Sequence, residues 1–316
     1  MPVGNMKDIK TEIIDSTEKI EDLVDWLVFR HAPPDLYSPT MYIDLEGVDL
    51  CREGSISILT LLIDTGIPTK RVCLIDVHTL GAKAFESAGA KQKTLKDILQ
   101  DAKIPKVFFD VRNDSDALFA HFGVALQGVE DVQLMESATR KTTASRKLLS
   151  GLAKCVENSK IGHSGLASWK LAKEKGERLF KAEHGGSYEI FNQRPIPEDV
   201  ISYCAGDVQF LPDLWNKFCR QQAHAWRDMV DEETEKRVAM SQRSDYQPHD
   251  RKKAMGPWSK DQNLLLDQWN YVAPLDHYDD TFDQYDDDLE DDWYDDGPTS
   301  CRDIISSWDY DYYYSD

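Results

Sequence analysis

The sequence contains no Cys-x-x-Cys pair and no Cys/His spacing of the kind that holds structural zinc. Its six cysteines (Cys51, Cys73, Cys155, Cys204, Cys219 and Cys301) are scattered, as expected of reduced thiols in an intracellular protein. No stretch reaches the eighteen or so apolar residues of a membrane span, and Met1 to Lys10 lack the apolar core of a secretory signal. A cytoplasmic or nuclear protein is therefore expected. Internal repeats are absent, and basic residues nearly vanish from 276–316, where sixteen Asp or Glu accompany Arg302 alone. That segment holds −15 of the total −20 and leaves −5 for residues 1–275, so the body is only mildly acidic. Its 41% hydrophobic content over 316 residues suffices for one large or two modest cores.

Periodicity orders the body. Ile20, Leu23, Val24 and Leu27 recur at helical spacing after a short strand candidate at Thr11 to Ile14. Three strands then follow closely, Met41 to Gly47, Ser55 to Ile63 and Arg71 to Val77, as in an antiparallel meander. Next come a helix around Thr94 to Gln100, a strand from Lys106 to Val111, a helix from Asp114 to Phe122 and a strand near Asp131 to Met135. This order predicts an α/β protein with a mixed, five-stranded sheet flanked by helices. A long helix is expected from Pro197 to about Trp226, kinked at Pro212. Residues 241–275 are expected to pack as an extended arm, and 276–316 to be disordered by their charge.

The chemistry starts at Met41-Tyr42-Ile43-Asp44-Leu45-Glu46-Gly47. On a strand, Ile43 and Leu45 turn to one face while Asp44 and Glu46 share the other, roughly 7 Å apart along the strand. Two like charges held on a rigid element call for a cation. A second candidate is Asp114, at the start of the helix after the fourth strand, with Asp110 and Asp116 as rivals. A third is Tyr203-Cys-Ala-Gly-Asp207, which sets a phenol and a carboxylate one helical turn apart.

In this order the acids resemble those of the DEDDy 3′–5′ exonucleases, the group of ribonuclease D and the Werner-syndrome exonuclease domain. The segment from Arg194 to Val208 is similar to ribonuclease D in its Arg-Pro, Tyr and Asp, while 110–118 and 185–190 look most like the egalitarian-like branch in fungi. The resemblance implies a ribonuclease H-like, DnaQ-like core over 36–226, after an N-terminal strand and helix lead over 1–35. An arm (227–275) and the acidic tail (276–316) follow. It implies that Asp44, Glu46, Asp114 and Asp207 bind two Mg²⁺ or Mn²⁺ ions and that Tyr203 orients the attacking water. Oxygen-only ligation favours those ions over zinc. The substrate implied is single-stranded RNA or DNA, cut to nucleoside 5′-monophosphates; the alternative is a nucleic-acid-binding adaptor on an inactive version of the fold.

Residues 141–181 hold ten Lys or Arg against three Glu, a net of +7. Arg146, Lys147, Lys170, Lys173 and Lys175 are the expected phosphate contacts, and Tyr188 is placed to stack on a base. The tail is a candidate site for a protein partner or a competitor of the substrate for this basic segment. Truncation after Pro274 is expected to lower the apparent KM for an oligonucleotide at low salt, and an unchanged KM would remove the competition.

Overall fold

Ile58-Leu-Thr-Leu-Leu-Ile63 is buried at every position, and a strand buried throughout must lie inside a sheet covered on both faces. The computed structural model, which describes residues 9–31, 39–64, 70–159, 161, 165–221 and 226–271, places it there. The strands β1 (Ile9–Ile14), β2 (Met41–Glu46), β3 (Ile58–Ile63), β4 (Lys70–Ile75), β5 (Lys106–Phe108) and β6 (Val129–Asp131) form one six-stranded sheet in the order β1-β4-β3-β2-β5-β6. The meander appears as expected: β2, β3 and β4 are antiparallel. The other pairings are parallel. Six strands replace the expected five because β1 adds to the edge beside β4, with Ile14 opposite Ile75.

Two helical layers cover the sheet. One face receives α1 (Thr17–Arg30), α2 (Val77–Leu80), α3 (Lys83–Glu86), α4 (Leu95–Leu99) and α5 (Arg112–Phe122), whose apolar side chains meet Met41, Ile43 and Leu45 of β2. The other receives α6 (Val132–Ala138), α7 (Leu152–Ser159), α8 (Leu166–Phe180), α9 (Glu198–Gln209), α10 (Leu211–Gln221), α11 (Arg227–Ser241) and α12 (Lys260–Trp269), which pack with Tyr42 of β2. The alternation of β2 therefore sends its even positions toward the α9 layer.

Three expectations are corrected. The strand expected near Asp131 to Met135 ends at Asp131, whose carboxylate accepts from the Gln133 N–H at 3.0 Å and caps α6. The single long helix is two helices broken at Phe210; Pro212 sits in the first turn of α10, where its missing N–H costs no hydrogen bond. The 241–271 stretch is not extended: Ser259 and Gln262 form a capping box that starts α12, and Trp258 donates to Ser137 Oγ at 2.9 Å. The acidic tail and Lys160 lie outside the described residues. No helix among those described is long and apolar enough to cross a membrane.

Lys106 of β5 is fully buried, its ammonium donating to the carbonyls of Ile98 (3.1 Å) and Asp101 (2.7 Å). Burial pushes its pKa down to about 7. An unfolded lysine titrates near pH 10.4, so the cost of burying the charge is full below about pH 7 and fades as the pH rises toward 10. Between pH 7 and pH 9 the wild-type protein should gain on the order of 2 kcal/mol more stability than Lys106→Met, read from urea unfolding. Equal changes in the two proteins would refute the lowered pKa of buried Lys106.

Candidate active site

Apolar alternation in β2 leaves Asp44 and Glu46 on the face that α9 covers. On α9, Val200, Tyr203, Cys204, Asp207 and Val208 form one buried stripe at helical spacing. The two elements bring carboxylate oxygens of Asp44, Glu46 and Asp207 within 4.8 Å of one another. Glu46 and Asp207 are buried and Asp44 is half-buried. The electrostatic consequence is visible at Cys204, one turn before Asp207. Its thiol is pushed well up by burial and by the Glu46, Asp44 and Asp207 charges.

Tyr203 is buried against α8. A Cβ on Gly176 would come within 2.3 Å of the Tyr203 ring, so only glycine admits the phenol there. Trp169 of α8 donates to the Gly206 carbonyl at 3.0 Å, and the ring of Phe180 lies 5.3 Å from that of Tyr203. The start of α9 is fixed by Arg194, which forks onto Asp76 at 2.7 and 2.5 Å and reaches the Phe191 carbonyl at 2.8 Å. Burial opposes the charge on Asp76, but the Arg194 and Thr79 hydrogen bonds outweigh it and hold the carboxyl low. Arg194 is thus a positioning residue, tying the segment before α9 to the end of β4.

Lys173 lies on the α8 face that also carries Trp169, Gly176 and Phe180. It is buried: its ammonium is 2.7 Å from Asp207 Oδ1 and 5.0 Å from the centre of the Tyr203 ring. Expected on a substrate phosphate, Lys173 instead supplies a cation to the acidic site itself. Arg146 is corrected likewise, being buried and committed to Asn263 Oδ1 at 2.9 Å and to Asp267. Lys170 pairs with Glu157 at 2.6 Å, and Lys147 and Lys175 are exposed. Tyr188 is half-buried, its ring 5.1 Å from Phe180. Gly176, Trp169 and Arg194 hold the site together without having stood out as site residues. The spacing 169-173-176-180 was the one available signal, because it puts a lysine on the buried stripe of a helix.

The three aspartates near α5 separate. Asp110 is gripped by Arg112 at 2.5 Å and Arg237 at 3.5 Å. Burial raises its pKa, but the two guanidiniums overcome that and hold it well below the usual carboxylate range. Asp116 pairs with Arg52 at 2.7 Å. Asp114 is buried in the first turn of α5 and is not part of the 4.8 Å trio.

An oxygen-only trio drawn from a strand and a helix suits a hard divalent cation. The Lys173 ammonium on Asp207 is a stand-in for positive charge at that place.

Residues 37–222, more than half of the chain, match the 3′–5′ exonuclease domain. The mouse (Mus musculus) piRNA biogenesis protein EXD1 is 28% identical over 171 residues, 54% of this chain and 27% of that protein. The chain thus spans about a quarter of that curated relative's length. Among solved structures, Trypanosoma brucei RNase D with GMP superposes with a TM-score of 0.61 at 23% identity, over 84% of this chain and 72% of that one. The same protein in complex with RNA U12 gives 0.59 at 22%, over 83% and 79%. At such identity these structures establish the ribonuclease D-like fold.

Lys173→Met should lower the melting temperature in chelator, because a buried carboxylate loses its counter-ion. It should also enlarge the rise produced by Mn²⁺, because a competing cation is gone. An Mn²⁺ increment equal to that of wild type would place Lys173 outside the metal-responsive site.

Proposed function

The chain belongs to the 3′–5′ exonuclease domain family, and we propose that it is a divalent-metal-dependent exonuclease that shortens single-stranded RNA or DNA from the 3′ end, releasing nucleoside 5′-monophosphates. The observation that carries this reading is the approach of Asp44, Glu46 and Asp207 to within 4.8 Å. When bound, two Mg²⁺ or Mn²⁺ ions would supply the charge that activates a water and steadies the departing oxyanion. Asp44, Glu46, Asp207 and Asp114 would hold them. Asp114, buried in the first turn of α5, is the fourth carboxylate of this reading. Tyr203, its ring seated on Gly176, would orient the attacking water through its hydroxyl. Exposed Lys147 and Lys175 meet backbone phosphates.

RNA is the favoured substrate. The relatives include a protein named for piRNA biogenesis and an RNase D in complex with RNA U12. The egalitarian-like character of 110–118 and 185–190 belongs to the same reading, as does assignment of 36–226 to the exonuclease core.

The Lys173–Asp207 ion pair favours a second reading, an adaptor that binds nucleic acid without cutting it. An ammonium that stayed on Asp207 would satisfy the acids without a metal. A denaturing-gel time course on 3′- and 5′-labelled single-stranded RNA and DNA with Mn²⁺ separates the two. Shortening from the 3′ end that is lost in Asp207→Ala is the expected result. Intact oligonucleotide in every lane, with binding retained in a gel shift, would replace the exonuclease by the adaptor.

A further inference from the structure

A second cluster of metal-ligating side chains lies outside the carboxylate site. Asp49 and Cys51 belong to the loop that follows β2, and His249 to the segment between α11 and α12. Although 198 positions separate the two residues, Cys51 Sγ and His249 Nε2 are 4.0 Å apart, and Nε2 is 3.4 Å from Asp49 Oδ1. We propose that Asp49, Cys51 and His249 form a zinc site that latches residues 241–250 to the loop following β2.

The Sγ–Nε2 and Nε2–Oδ1 distances suit a single ion. With bonds of about 2.3 Å to sulfur, 2.05 Å to nitrogen and 2.0 Å to oxygen, the observed separations correspond to S–Zn–N and N–Zn–O angles of about 135° and 115°, within reach of a tetrahedron after small side-chain shifts. The donors also select the metal. One thiolate, one imidazole and one carboxylate suit zinc, whereas Mg²⁺ and Mn²⁺ prefer the oxygen-only trio. Three protein ligands leave a fourth position for water.

Both halves of the site are formed without help from the ion. The loop is closed by Ser55 N–H donating to the Val48 carbonyl at 2.9 Å and Gly54 N–H donating to the Cys51 carbonyl at 3.2 Å. Gly54 is required, since a Cβ there would lie 1.9 Å from the Asp49 carbonyl oxygen. Burial pushes the Cys51 thiol up, and the Glu53 N–H, 3.4 Å from Sγ, offsets part of that rise. On the other side, Arg52 donates to the carbonyls of Ser241, Arg243 and Ser244, and Tyr246 donates to Asn113 Oδ1 at 3.2 Å. These bonds fix the approach of the segment that carries His249. The sulfur is buried while the Asp49 and His249 side chains are each more than half exposed, so an ion enters from solvent and the thiol proton leaves by the same route.

The site does not depend on the exonuclease reading, and nuclease activity is not its readout. The full-length chain is stripped with chelator and titrated with Co²⁺ as a spectroscopic probe, then with Zn²⁺. Wild type is expected to show a thiolate-to-cobalt charge-transfer band in the near ultraviolet that saturates at one equivalent and disappears as Zn²⁺ displaces cobalt. The band should be retained in Asp44→Asn and absent in Cys51→Ser. Exposed His249 can be removed without disturbing the core, and His249→Ala should weaken Co²⁺ binding by about tenfold or more. No band in wild type, a band of full strength in Cys51→Ser, or an unchanged Co²⁺ affinity in His249→Ala would each overturn the site.

Discussion

Three carboxylates within 4.8 Å of one another repel, and the packing of the sheet and helix that carry them holds them together. Positive charge must therefore be present at that point. In this structure the chain itself supplies it: Lys173 reaches across from α8 and closes on Asp207 at 2.7 Å. Taking charges out of water is costly even when they are paired, so the pair is better understood as a response to the crowded acids than as a device for stability.

The layers around the acids follow from the same need. Asp207 can meet Asp44 and Glu46 only if α9 lies flat on β2 and β3, and Arg194 anchors the segment that enters that helix. Lys173 can reach the site only if α8 lies close to α9. Two glycines permit this: Gly176 faces the Tyr203 ring, and Gly206 lies against Trp169. A helix pays for each interior glycine with about 1 kcal/mol of propensity, and close approach of the two backbones offsets it.

Much of this order was legible in the chain. Period-two alternation put Asp44 and Glu46 on one face of β2, and short connections announced the meander. Residues that meet from distant segments were harder to place. Only the family likeness linked Asp207 to the strand acids. Lys173 and Arg146 read as surface cations because their burial is created by α9 and α12, not by their own neighbours. The Val132-Gln-Leu-Met135 run has the apolar content of either a strand or a helix, and the cap at Asp131 decides for the helix. Cys51 and His249 carry no spacing signal at all, since no local motif spans 198 residues.

The separation of the acids along the chain also has a kinetic meaning. Asp44 and Glu46 are neighbours from the moment β2 forms, but Asp207 comes 163 positions later (207 − 44) and joins them only through a long-range contact. Closing so large a loop is slow compared with forming a hairpin. The strand acids therefore need only the meander, whereas completion of the cluster also needs α9 docked on β2 and β3. Partial opening of the α8–α9 pair would then dismantle the cluster while the sheet persists, so the trio would be lost at a lower free energy than the fold itself.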